Sequence, residues 1–237
     1  MRPSRFDILH FDSAPVHMFS RCHNKEMYFE QKTIKHLYMS IFKDSLQIKS
    51  TYKDKLTVNA FCIMDNHFHH LIHYTDGAHN LSNFMRRCNG VFGQRFNRLN
   101  RRSGKVSESR PKTSLIENID HTMKVHMYIE ANPIRAGKCS LKQLKHYKFC
   151  SYAFYAYGIK NEFTELLTIP DWYTALGSNA IQRQIKYRML FEEYLKESKL
   201  LKIEIMANFI GSKLWVIKEL RRYRDLSKNR KLNKDPS

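Results

Sequence analysis

The stretch Phe61-Cys62-Ile63-Met64-Asp65-Asn66-His67-Phe68-His69-His70-Leu71-Ile72 reads as the two arms of a β-hairpin. An apolar run closes at Ile63, the short Met64-Asp65-Asn66 connection follows, and a second run opens on histidine, so residues 55–63 and 67–74 are expected to pair. Side chains alternate faces along a strand, which sends His67 and His69 to one side of the sheet and His70 to the other. His70 and His73 are expected to be structural. Further along the chain, Tyr128 and Asn132 are one helical turn apart and sit one above the other. Two imidazoles, an amide oxygen and a phenol are therefore candidates for a single site. The first three suit a divalent cation such as Mg²⁺ or Mn²⁺, and a tyrosine beside that cation can attack phosphorus. With twelve histidines in the chain, a His-x-His triplet is an ordinary chance event, and the surrounding sequence has to decide.

Outward from the hairpin, residues 14–20 read as a strand and residues 31–47 as a helix, with Ile34, Leu37, Tyr38, Ile41 and Phe42 at helical spacing. Residues 81–102 fit a long amphipathic helix: Leu81, Phe84, Met85, Cys88, Phe92, Phe96 and Leu99 fall on one stripe, and Arg87, Gln94, Arg98 and Arg101 on the other side. That basic side is either an ordinary solvated face or a track for a nucleic-acid backbone. Residues 105–116 alternate weakly, as a strand pair or a loop would. A helix over residues 120–132 follows, ended by Pro133 because proline disfavours helical geometry in the residue before it. The order β, α, β, β, α, β, α gives an α+β architecture, an antiparallel sheet covered by helices.

Beyond residue 158 the character changes, dividing the chain into residues 1–158 and a helical extension over 159–237. Residues 168–177 form a turn-rich connector and residues 178–196 a helix. Ile203, Ala207, Gly211, Ile217 and Leu220 then have the spacing of a helix-turn-helix or of a packed helical hairpin, with Lys213, Lys218, Arg221, Arg222 and Arg224 on its second helix. Residues 227–237 are polar and basic and are expected to fray.

Lysine and arginine number 41 against 22 aspartates and glutamates, and the isoelectric point is near 9.8. That excess suits a polyanion, whose neutralised phosphates release counterions. Thirteen tyrosines and fifteen phenylalanines favour nucleic acid over a membrane surface, because aromatic faces stack on exposed bases. Cys22, Cys62, Cys88, Cys139 and Cys150 are odd in number and form no Cys-x-x-Cys, which argues for a reducing compartment and against structural zinc. No apolar run has the length of a signal peptide or a membrane span, so a cytoplasmic location is expected. The length is enough to bury one sizeable core.

The two candidate segments together resemble the signature segments of the HUH single-strand transposases, particularly the REP-associated tyrosine transposases. In that family a strand carries Met-Pro-Asn-His-hydrophobic-His, matched here by Met64-Asp65-Asn66-His67-Phe68-His69. A helix carries Tyr-Ile-x-x-Asn-Pro-x-Arg-Ala-Gly, matched by Tyr128-Ile129-Glu130-Ala131-Asn132-Pro133-Ile134-Arg135-Ala136-Gly137. The resemblance runs from about Phe6 to Tyr157 and takes in Val16-His17-Met18-Phe19-Ser20-Arg21. It departs at Asp65, where the family usually has proline. It departs again at Val106-Ser107-Glu108-Ser109-Arg110, which keeps the arginine but not the tryptophan of the family's Trp-Gln-x-Arg segment.

The resemblance implies a ferredoxin-like HUH fold with the histidine strand central, and Mg²⁺ or Mn²⁺ held by His67, His69 and a third ligand. It also implies that Tyr128 joins the 5′-phosphate of single-stranded DNA near a hairpin and frees a 3′-hydroxyl. Asn132 is the implied third ligand; Asp65, expected on the strand face of His67 and His69, is the alternative, since hard cations favour carboxylate oxygen. A phenol with a pKa of about 10 costs about 4 kcal/mol to ionise at neutral pH, so Lys124, one turn earlier, or the cation has to offset that cost. Candidate DNA contacts are Arg87, Arg98, Arg110, Lys124, Arg135, Lys218 and Arg221. A monomer or a homodimer fits. The competing function is a non-catalytic DNA-binding regulator that keeps the fold. A hydrolase using activated water is disfavoured, because no His-x-His-x-Asp-His pattern occurs.

Overall fold

Burial of both faces of the histidine strand organises the molecule. The computed structural model describes residues 5–47, 50–197 and 208–232. In chain order they form α1 (Arg5–Ile8), β1 (Ala14–Arg21), α2 (Lys32–Gln47), α3 (Ser50–Lys55), β2 (Leu56–Ile63), β3 (His67–Tyr74), α4 (Ala78–Leu99) and β4 (Lys112–Ile116). There follow α5 (Ile119–Arg135), α6 (Leu141–Leu144), α7 (Tyr152–Tyr157), α8 (Asp171–Thr174), α9 (Ala180–Glu197), β5 (Phe209–Ile210) and α10 (Lys213–Leu232).

The strands lie in the order β2-β3-β1-β4-β5, so the histidine strand is interior and β1 is the middle strand. The first four pair antiparallel, as expected, while β5 adds to β4 in parallel and makes the sheet mixed. Phe68, Ile72 and Tyr74 face a core shared with Tyr38 and Phe42 of α2 and Phe84 and Phe92 of α4. Leu71 faces a second core with Val125 and Ile129 of α5, Tyr152 and Tyr155 of α7, and Tyr187 and Phe191 of α9. His70 belongs to the first side: it stacks on Phe42 with centroids 4.2 Å apart and meets Tyr38 Oη at 3.1 Å. No described helix is long and apolar enough to cross a membrane.

Several expectations are corrected. Leu99 leaves the apolar stripe of α4 and is 66% exposed, because the helix has run past the core by its last turn. Residues 105–116 hold one strand, β4, after a loop, and that strand pairs with β1 on one side and β5 on the other. Directly before Gly211 the chain is β5, so a helix does not lead into that glycine; Ile203 and Ala207 lie outside the described residues. α10 packs Trp215, Val216, Leu220 and Tyr223 on the first core and runs on to Leu232, beyond where fraying was expected to begin.

Pro133 does not end α5, which continues to Arg135. Proline has no N–H for the carbonyl of Ile129, but the Asn132 amide supplies one: its Nδ2 donates to Ile129 O at 3.2 Å and to Tyr128 O at 2.8 Å. The helix closes at Gly137, whose φ is +66°; Gly137 N–H donates to Ile134 O and Lys138 N–H to Pro133 O, both at 2.9 Å. Glu130, wholly buried, ties the same helix to its neighbours: Ser151 Oγ donates to one carboxylate oxygen and Tyr187 Oη to the other, each at 2.5 Å. A left-handed alanine is strained, so Gly137→Ala is expected to lower stability by about 1 kcal/mol, seen as a reduced urea midpoint at unchanged slope. An unchanged midpoint contradicts this account of the helix end.

Candidate active site

The C-terminal turns of α5 and the second-core face of the sheet enclose a pocket of about 240 Å³. His67, His69, Tyr128 and Asn132 all line it. The antiparallel register explains the rest of the wall: Arg21 pairs with His67, Phe19 with His69 on one side and with Lys112 on the other, and His17 pairs with Ser114. Tyr128 meets the edges of two imidazoles, its ring centroid 5.7 Å from that of His69 and 5.9 Å from that of His17. Phenol and histidines thus come together within one chain.

Hydrogen bonds set the ring protons. Asn66 Nδ2 donates to Lys25 O at 3.3 Å, which turns its Oδ1 to His67 Nδ1 at 2.6 Å. An amide oxygen only accepts, so His67 carries its proton on Nδ1 and keeps a lone pair on Nε2. His69 Nδ1 lies 2.8 Å from His17 Nε2, so one of these two rings donates to the other. When His69 donates, its Nε2 also keeps a lone pair. Burial, with Arg21 adding to it against the opposing Asp65, pushes His67 down to about 4. Burial and the neighbouring His17 and His67 push His69 well below the usual histidine range. Both rings are neutral at neutral pH, as ligands for a cation must be.

With Asn132 Nδ2 committed to two helix carbonyls, Oδ1 is the atom that amide has left. Asp65 is spoken for and lies in the hairpin connection, off the expected strand face. Its Oδ1 accepts from Lys35 Nζ at 2.8 Å and its Oδ2 is 2.5 Å from Lys138 Nζ. Burial opposes its ionisation, but the hydrogen bonds from Lys138 and Lys35 hold it below the usual carboxylate range. Among the described residues no cluster of three or more His, Cys, Asp or Glu side chains is arranged to hold a metal ion. A cation here would take two imidazoles and an amide oxygen.

Burial raises the Tyr128 phenol, while Arg135 and Arg21 pull it back. The Arg135 guanidinium carbon stands 4.9 Å from the centre of the tyrosine ring. Lys124, expected in that role, is exposed and lines no part of the pocket. Of the other proposed DNA contacts, Arg87 and Arg98 are exposed on α4, Arg110 on the loop before β4, and Lys218 and Arg221 on α10. Only Arg135 of that group reaches the pocket. The sequence reading passed over His17, Phe19, Arg21 and Lys112 as site residues. The first three alternate along one strand and so share a face, but nothing in the sequence gives the register that sets them against His67 and His69.

No protein-family model matches the sequence, and no curated protein matches it. Among solved structures, a REP-associated tyrosine transposase bound to a REP hairpin aligns over 64% of this chain and 84% of its own, with a TM-score of 0.50 and 14% sequence identity. This chain is similar to that transposase in fold.

Unfolded histidines titrate near 6.5, whereas folded His67 and His70 do so at about 4 and about 3. Between those values the unfolded chain binds more protons, so stability falls as pH falls from 6.5. His70→Gln is expected to flatten that fall by up to about 1.4 kcal/mol per pH unit, read from urea midpoints across the window. An identical pH slope in the variant contradicts the neutral, buried state of His70.

Proposed function

We propose that this chain is a metal-dependent single-stranded DNA endonuclease and strand-transferase, transposase-like, acting near DNA hairpins through a phosphotyrosine at Tyr128. The observation that carries this reading is a phenol held against neutral imidazoles in a pocket whose only charged side chains, among the described residues, are Arg21, Lys112 and Arg135. A carboxylate would repel a phosphodiester, and none among the described residues lines the wall. Arg21 Nε is buried without a hydrogen-bond partner among the described residues, a donor suited to a phosphate oxygen.

His67 Nε2, His69 Nε2 and Asn132 Oδ1 are the atoms that would hold Mg²⁺ or Mn²⁺, with His17 accepting from His69 Nδ1 to fix the required tautomer. When bound, the ion supplies Lewis-acid stabilisation of the phosphate oxygens. Tyr128 Oη attacks phosphorus; the O–P bond to tyrosine forms as the bond to the 3′-oxygen breaks, and the phenol proton ends on the departing 3′-hydroxyl. One phosphodiester replaces another, so the step is reversible and a later 3′-hydroxyl can rejoin the strand. Arg135 over the ring and Arg21 offset part of the cost of ionising the phenol. Residues 1–158 would carry the chemistry and 159–237 the helical extension. One chain supplies both halves of the site, so a monomer is sufficient and a homodimer is compatible. We place the protein in the cytoplasm, a reducing compartment that suits its five free thiols.

Incubated with Mn²⁺ and a varied pool of hairpin-bearing single strands, the protein is expected to form a denaturation-resistant DNA adduct that maps to the Tyr128 peptide. Tyr128→Phe should form none while binding the same strands. Binding without any adduct, or an adduct that survives Tyr128→Phe, overturns the proposal; the first outcome would favour the regulator.

A further inference from the structure

On the first-core side, α4 and the loop leading into β4 enclose a groove of about 840 Å³ that the chemistry above does not use. Its walls carry unmet polar atoms: Asn89 Oδ1, Asn97 Oδ1 and Arg5 Nε are buried with no hydrogen-bond partner among the described residues. Asn97 Nδ2 donates to Gly104 O at 2.9 Å, which fixes the amide with its oxygen as the unused end. Buried acceptors left unpaired are costly, so a ligand that donates to them is favoured.

Charge and shape point the same way. Arg5, Arg86, Lys105 and Arg110 line the groove against a single carboxylate among the described residues, Glu108. Arg5 is clamped by Ser82 Oγ at 3.2 Å and Pro111 O at 3.0 Å, and burial together with the charge of Arg110 lowers it to about 10, a repulsion that an anion would relieve. The α4 wall is bare at two glycines: a Cβ at Gly90 would meet nothing within 4 Å, and one at Gly93 only Val106 Cγ2 at 3.9 Å. Phe6, also lining the groove, is 54% exposed and offers a ring to a base.

The groove and the tyrosine pocket lie on opposite sides of the sheet and come together at the start of β4. Glu108 N–H donates to Arg21 O at 3.0 Å, Pro111 lines the groove, and the next residue, Lys112, lines the pocket. We propose that this groove is a second subsite, which holds single-stranded DNA continuous with the strand in the tyrosine pocket and accepts hydrogen bonds from base amino groups on Asn89 and Asn97. Duplex Watson–Crick edges are already paired, whereas an unstacked base can bring its whole edge to acceptors set into the walls. Cytosine carries an exocyclic amine for such an acceptor; thymine has none. The identity of the ligand as DNA rests on the proposed function, but occupation of the groove does not depend on Tyr128 chemistry.

The test measures fluorescence anisotropy of labelled oligo-dC and oligo-dT of about 20 nucleotides with the full chain over a range of salt. The wild type should prefer dC by about fivefold, one hydrogen bond's worth. Asn89→Leu with Asn97→Leu should erase that preference and leave dT affinity within about twofold. Arg86→Glu with Arg110→Glu, both at exposed positions, should weaken both oligomers by about tenfold or more and reduce the salt slope by about 1.4. Absence of a dC preference in the wild type, its survival in the double-leucine variant, or unchanged affinity after charge reversal each overturns the subsite. A chain that shows the dC preference and forms no tyrosine adduct keeps the subsite and loses the catalytic proposal; the opposite pair of results does the reverse.

Discussion

Alternation along β3 is the constraint from which the rest follows. Phe68, Ile72 and Tyr74 enter one core while Leu71 enters the other, so the sheet must be covered on both faces. Burial of Leu71 against α5 carries His67 and His69 to the same face, where the last turns of that helix deliver Tyr128, Asn132 and Arg135. A slip of one residue in the hairpin would send the imidazoles into the α2–α4 core and bring His70 to the tyrosine. Packing thus specifies the register, and the register specifies the pocket.

Among the described residues the pocket carries no negative charge. Asp65 sits two residues before His67, yet Lys35 and Lys138 engage its two oxygens; Lys138 joins the start of the histidine strand to the end of the tyrosine helix, and Lys35 ties it to α2. Glu130 is two residues from Tyr128, yet it points into the aromatic core and is satisfied by Ser151 and Tyr187. Both carboxylates serve to position α5. The imidazoles stay neutral because they are buried, and arginines around the phenol supply the positive field. That division of labour suits the phosphodiester we propose as the substrate.

Much of the fold was legible because it rests on local periodicity. The helical spacing of Ile34 through Phe42, the stripe from Leu81 to Phe96 and the break at Met64-Asp65-Asn66 each reflect short-range rules, and the elements lie within a few residues of where those rules put them. Pro133 misled because a short side chain, the Asn132 amide, replaced the missing backbone donor, and no propensity encodes such a repair. β5 is only two residues long and pairs with a strand far away in sequence, so no pattern announces it. At the site, His67, His69, Tyr128 and Asn132 were legible from spacing and from the resemblance. His17, Phe19 and Lys112 reach the pocket through strand pairing, and a non-local register is not written in any one segment.

The central claim is that His67 and His69 face Tyr128 as neutral rings protonated on Nδ1, with Nε2 open toward the pocket. Long-range proton–nitrogen NMR correlation on histidine-labelled protein at neutral pH reads this directly. The account predicts that both rings show the Nδ1–H tautomer and no cationic form. A proton on Nε2 of either ring, or a His67 imidazolium at neutral pH, would contradict it.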